Sequence, residues 1–138
     1  MDPVRLFSVV SLVALPTVMF GGYSLLRLLT QGGALSPFQE QFFRAGHAHA
    51  GVLLVLSLVY YRYLADTALP DGARWLACGA LVVGILAQSG GFFLPLLVGA
   101  PGQASAGTSL TTGGAVLLAV AVLWLAYAVA TAPLAPRP

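Results

Sequence analysis

The chain has 138 residues, of which 59% are hydrophobic and 7% charged, and its mean hydropathy is +0.92. A soluble domain of this size carries about 25% charged residues, so this composition cannot solvate a globular surface and calls for lipid around most of it. Six arginines, no lysine and four acids leave a basic surplus too small to argue for nucleic-acid binding, and a lone Cys78 excludes an internal disulfide or a multi-cysteine metal site.

A hydrocarbon core about 30 Å thick needs about 20 apolar residues in helical form. Four segments of a single domain spanning 1–138 satisfy this, at 6–29, 37–63, 74–98 and 108–132. The first follows Arg5 but is too long for the apolar region of a signal peptide, and no small-x-small cleavage site stands behind it, so it reads as a retained helix. Gly32-Gly33 marks the first loop. The second span has a well-specified start: Ser36 as N-cap, Pro37 at the first helical position and Gln39 two residues on predict a capping box. Its far end, Tyr60, Tyr61, Arg62 and Tyr63, together with Trp75, predicts an anchor belt at the membrane surface.

Pro70-Asp71-Gly72 is a turn sequence, after which the third span begins. Cys78 reads as a small apolar packing residue. Pro95 with Gly90-Gly91 predicts a kink in this span that opens a cavity. The loop 99–107 is rich in Gly, Ser and Ala, the fourth span opens on Thr108, Thr111 and Thr112, and the prolines of the tail 133–138 cannot continue it. The fold class is therefore all-α, an integral-membrane four-helix bundle.

Two further patterns bear on arrangement. Gly21-Gly22-Tyr23-Ser24-Leu25 and Gly90-Gly91-Phe92-Phe93-Leu94 lie 69 residues apart, and Leu28 with Leu97 and Gly33 with Gly102 match at the same offset. This is the pattern of two parallel helical hairpin repeats. The arginines divide unevenly, with Arg5, Arg62, Arg74 and Arg137 on one side of the membrane and Arg27 and Arg44 on the other, which predicts both termini in the cytoplasm.

The second span carries the chemistry. Stepping 100° per residue places Glu40, Arg44, His47 and Gly51 on one face and Gln41, Ala45 and His49 on another. The two histidines point about 160° apart, so they cannot share one metal from a regular helix, and each serves a different neighbour. Both lie one to two turns below Arg44, among Ala45, Gly46, Ala48, Ala50 and Gly51, which leave room for a close helix or a flat ligand. Ionisable residues within a span are functional candidates by default. His47 and His49 are accordingly the candidate cofactor or metal ligands. Glu40, Arg44 and Gln88 are supporting polar groups, with the site expected between the second, third and fourth spans. No nucleophile constellation or phosphate-binding glycine loop is present, so no catalytic residue is assigned.

His47-Ala48-His49 near the start of a second span resembles small bacterial four-helix membrane proteins that carry His-x-His in the corresponding helix. It is also distantly similar to the His-x-His of haem-copper oxidase subunit I, in which the two histidines ligate different haems. That resemblance implies a bacterial inner-membrane location and axial haem ligation by His47 and His49. The chain has no other histidine, so a bis-histidine haem requires a second subunit. Glu40 followed by Arg44-Ala45 also resembles the start of the second helix of the MAPEG family of trimeric glutathione-dependent membrane enzymes. That family's following Asn, second Glu and Arg-x-x-Tyr segment are absent here.

Three functions follow as expectations. The first is a haem- or transition-metal-binding redox or sensor component. The second is a non-catalytic subunit or assembly factor of a larger membrane complex, and the third a membrane enzyme or transporter acting on a lipophilic small molecule. Each places the chain in the lipid bilayer, as a homo-oligomer or as part of a complex.

Overall fold

The computed structural model describes residues 1–32 and 35–132. They form α1 (Pro3–Gln31), α2 (Pro37–Ala65), α3 (Asp71–Gly91), the short α4 (Pro95–Val98) and α5 (Ala106–Ala130), with no strand among the described residues. α1, α2, the α3–α4 unit and α5 are each long and apolar enough to cross a membrane. The chain is thus an all-α four-helix membrane bundle. Gly33, Arg137 and the rest of the tail 133–138 lie outside the described residues.

Local chemistry sets the helix ends. α1 starts at Pro3, ahead of the hydropathy boundary, because the amides of Val4 and Arg5 donate to the Asp2 carboxylate at 3.2 and 3.1 Å. The expected capping box of α2 is present: the Gln39 amide donates to Ser36 Oγ at 3.3 Å and the Ser36 amide to Gln39 Oε1 at 3.0 Å. A second box, between Ser105 and Thr108, opens α5. After Gly91 the chain tightens into i→i−3 bonds, from Phe92 N–H to Ser89 O and from Phe93 N–H to Gly90 O. Pro95 explains the break, since it has no N–H for Gly91 and its ring clashes with that turn.

α2 and α3 occupy the middle of the bundle, each packing against both α1 and α5. The densest core lies where α2 ends and α3 begins. There Tyr60, Tyr61, Leu64, Cys78 and Leu81 meet Leu118, Ala121 and Leu125 of α5 and Val4 of α1. Cys78 is fully buried, as its packing role requires. Tyr60 and Tyr61, expected in a surface belt, are instead 3% and 1% exposed. Neighbouring helices enclose this end of α2: Tyr60 donates to Ala121 O of α5 at 3.3 Å, and Tyr61 packs beside Phe7 of α1 at 6.3 Å between centroids. Tyr63 and Trp75 remain exposed, as a belt requires.

α3 and α5 approach backbone to backbone. A methyl group on Gly114 would stand 2.9 Å from Gln88 Cα and from the Ala87 carbonyl carbon, neither of which can swing aside. The two glycine pairs of the proposed repeat both sit at helix interfaces but meet different things: Gly22 a histidine ring, Gly91 the Gly107 carbonyl and Thr111.

Overpacking a tight contact costs about 1–3 kcal/mol. Gly114→Ala is therefore expected to lower resistance to denaturation in detergent by that amount, while Gly79→Ala, which has open space around it, leaves it unchanged. Equal denaturation midpoints for the two variants would contradict this account of the α3–α5 contact.

Candidate functional site

The N-terminal half of α2 is held from two sides. Toward α3, Gly46 gives room for the turn after Gly91: a methyl on Gly46 would lie 2.9 Å from the Phe93 ring and 3.0 Å from Phe92 Cβ. Phe43 meets Phe93 edge-on at 5.6 Å, and Phe42 meets Phe92 at 6.4 Å. At the break in the third span, two phenylalanines occupy the space against α2, leaving a shallow hollow of about 90 Å³ beside Phe92.

Toward α1, the ring of His47 lies over Gly21-Gly22. A methyl on Gly22 would come within 2.9 Å of His47 Nε2 and 3.1 Å of Cε1, and one on Gly21 within 3.6 Å of Nδ1. One turn further along, Gly51 faces Val18 of α1. The expected placement of the whole site between the second, third and fourth spans is corrected here. The angular offset that separates the histidines sends His47 to α1 and only His49 toward α3.

His49 has a different environment. Its Nδ1 lies 2.8 Å from the carbonyl oxygen of Ala45, one turn back. A carbonyl can only accept, so Nδ1 is the donor in this contact. The ring stacks on Phe92 at 4.7 Å with 34° between planes. A hydrogen bond from one ring nitrogen to a backbone carbonyl is the outer-shell arrangement that orients ligating histidines.

The supporting groups do not gather at the histidines. Glu40 and Arg44 form an i,i+4 ion pair at 2.6 Å, with Arg44 58% exposed. Gln88 lies against α5, where its carbonyl accepts from Thr111 Oγ1 at 3.3 Å and its backbone abuts Gly114. The Thr112 hydroxyl donates to Thr108 O within its own helix.

Three shallow depressions lie beside the N-terminal half of α2. One of about 270 Å³ is lined by Pro37, Glu40, Gln41 and Arg44. A second of about 90 Å³ is lined by Gln41, Phe42, Ala45 and Phe92. The third, of about 190 Å³, is lined by Ala48, His49, Val52 and Leu53. Among the described residues no three His, Cys, Asp or Glu side chains come together as a metal cage. A metal ion on this chain would therefore take most of its ligands from a macrocycle or another subunit. The His49 ring lines the third depression, and the His47 ring packs against Gly21-Gly22.

The chain matches no family model, no curated protein and no solved structure.

Sequence reasoning missed the Gly21-Gly22 seat of His47 and the Phe92 stack on His49. The glycine pair was the available signal, since it occupies α1 opposite the first half of α2. The geometry makes a coupling test direct. Gly22→Ala is expected to destabilise the folded protein by about 1 kcal/mol or more, and that loss is expected to vanish in the His47→Ala background, where no ring is left to displace. Additive effects in the detergent denaturation cycle would refute the contact.

Proposed function

We propose that this four-helix membrane protein is a ligand-donating component, in which His49 Nε2 supplies one axial bond to a haem or to a transition-metal centre completed by other groups. The observation that supports the reading is the His49 Nδ1 contact with the Ala45 carbonyl, made by a ring that lines a groove of about 190 Å³. When bound there, such a group supplies one-electron redox or ligand-sensing chemistry. The chain's own residues orient the donor: Ala45 holds the tautomer, Phe92 holds the ring plane, and Ala48 leaves space beside it. The arginine distribution supports placing this site toward the outer leaflet, with both termini cytoplasmic. The chain's two histidines face different neighbours, which supports assembly with another subunit or a second copy to complete coordination.

His47 favours a second reading. A histidine packed against glycine, with Ser57 and Thr111 hydroxyls joining helices, suits a non-catalytic subunit or assembly factor. The notch beside Arg44 is walled by α2 residues alone, which gives an enzymatic reading less support than either.

Protein purified after expression with haem and metals supplied separates these readings. The wild type is expected to show a Soret band or stoichiometric metal, His47→Ala to keep it, and His49→Ala to lose it. A colourless, metal-free wild type, or retention of the ligand in His49→Ala, would overturn the proposal and favour the structural reading.

A further inference from the structure

We propose that α1 is the lipid-facing wall of the bundle, with Arg5 and Arg27, one at each end of its outer face, binding phospholipid phosphates of the two leaflets. The proposal is independent of the assignment of His49. Arg5 and Arg27 are separated by an axial rise of about 33 Å, which matches a hydrocarbon core about 30 Å thick. At 100° per residue the second arginine returns to within about 40° of the first, so both lie on one face. Both are exposed. Between them that face carries Val9, Leu12, Met19, Phe20 and Tyr23, each more than half exposed. The opposite face is the one spent inside the protein: Val4, Ser11 and Leu25 are buried, while Val18 and Gly21-Gly22 meet α2.

Charge identifies what covers the outer face. Among the described residues the ion pairs are Glu40–Arg44 and Arg62–Asp66, so neither Arg5 nor Arg27 has an acidic partner. Asp2, close to Arg5 in sequence, accepts instead from the backbone amides of Val4 and Arg5. A guanidinium presents a planar fork of donors that suits a phosphate. A second copy does not supply one: whether two such faces paired parallel or antiparallel, arginine would meet arginine at both ends. Beside Arg5 lies a hollow of about 480 Å³ lined by Met1, Asp2, Arg5, Leu6 and Val9. It is polar at the helix start and apolar further along, the profile of a headgroup joined to an acyl chain. At the other end Tyr23, one turn before Arg27, packs beside Phe20 at 6.4 Å, an aromatic pair of the kind that sits at headgroup level.

The test places full-length protein with carbon-13-labelled arginine in phospholipid bilayers in phosphate-free buffer, so that lipid is the source of phosphorus. Dipolar dephasing of the guanidinium carbons by phosphorus-31 then reads their proximity to phosphate. Wild type is expected to show dephased guanidinium signal, and Arg5→Gln and Arg27→Gln each to lose about one arginine's share of it. Dephasing unchanged in either variant would overturn the assignment of that end, and with it the match of α1 to both leaflets. A nitroxide attached to Leu12→Cys separates lipid from a second copy, since Cys78 is fully buried. High accessibility to dissolved oxygen without spin–spin broadening is expected. A broadened or oxygen-shielded label would overturn the lipid assignment.

Discussion

In the hydrocarbon interior no water competes for hydrogen bonds, so each polar group must find its partner within the protein. Many hydroxyls of this chain show how that demand is met, while Tyr61 Oη and Ser89 Oγ are buried without a partner among the described residues. Ser8 donates to Val4 O, Ser24 to Phe20 O, Thr112 to Thr108 O and Thr131 to Tyr127 O, each one turn back on its own helix. These side chains close on their own helix and leave its apolar surface to lipid. Others cross between helices: Tyr60 donates to Ala121 O, Thr111 to Gln88 O, and Ser57 to Ser11 at 2.8 Å, both serines fully buried. Such interhelical bonds contribute about 0.6 kcal/mol on average. Their modest size leaves close backbone packing as the larger source of helix association here.

His49 obeys the same rule with a different consequence. Its Nδ1–H closes on Ala45 O much as a serine hydroxyl would, but an imidazole has a second nitrogen. Satisfying one therefore leaves the other without that partner, on a ring that lines the groove of Ala48, Val52 and Leu53. His47, on the same helix, is spent on shape: its flat ring fills the space left by two glycines of α1. One helix thus carries two identical side chains with separate tasks, a division produced by the odd geometry of an i,i+2 pair on a helix of 3.6 residues per turn.

Much of this was legible in the sequence. Span number and fold class follow from hydropathy. The capping box of α2 follows from Ser36, Pro37 and Gln39, and the divergence of His47 and His49 follows from helical angle alone. Partners across helices were less legible, because they depend on how far each helix rotates and slides against the next. Tyr60 and Tyr61 read as belt residues by composition, yet sit in the core because α1, α3 and α5 all converge on that end of α2. The kink at Pro95 was visible, but its outcome depended on Phe92 and Phe93 turning toward Gly46 and filling the space. The seat of His47 on Gly21-Gly22 required knowing that α1, rather than α5, lies on that side.

The account depends most on the protonation pattern of a single imidazole. Nitrogen-15 NMR of histidine-labelled protein in bilayers, assigned by comparison with His47→Ala, reads it directly. His49 is expected with Nδ1 protonated and hydrogen-bonded. A His49 signal with a bare Nδ1 would contradict the account, since that nitrogen lies 2.8 Å from the Ala45 carbonyl and could not then donate to it.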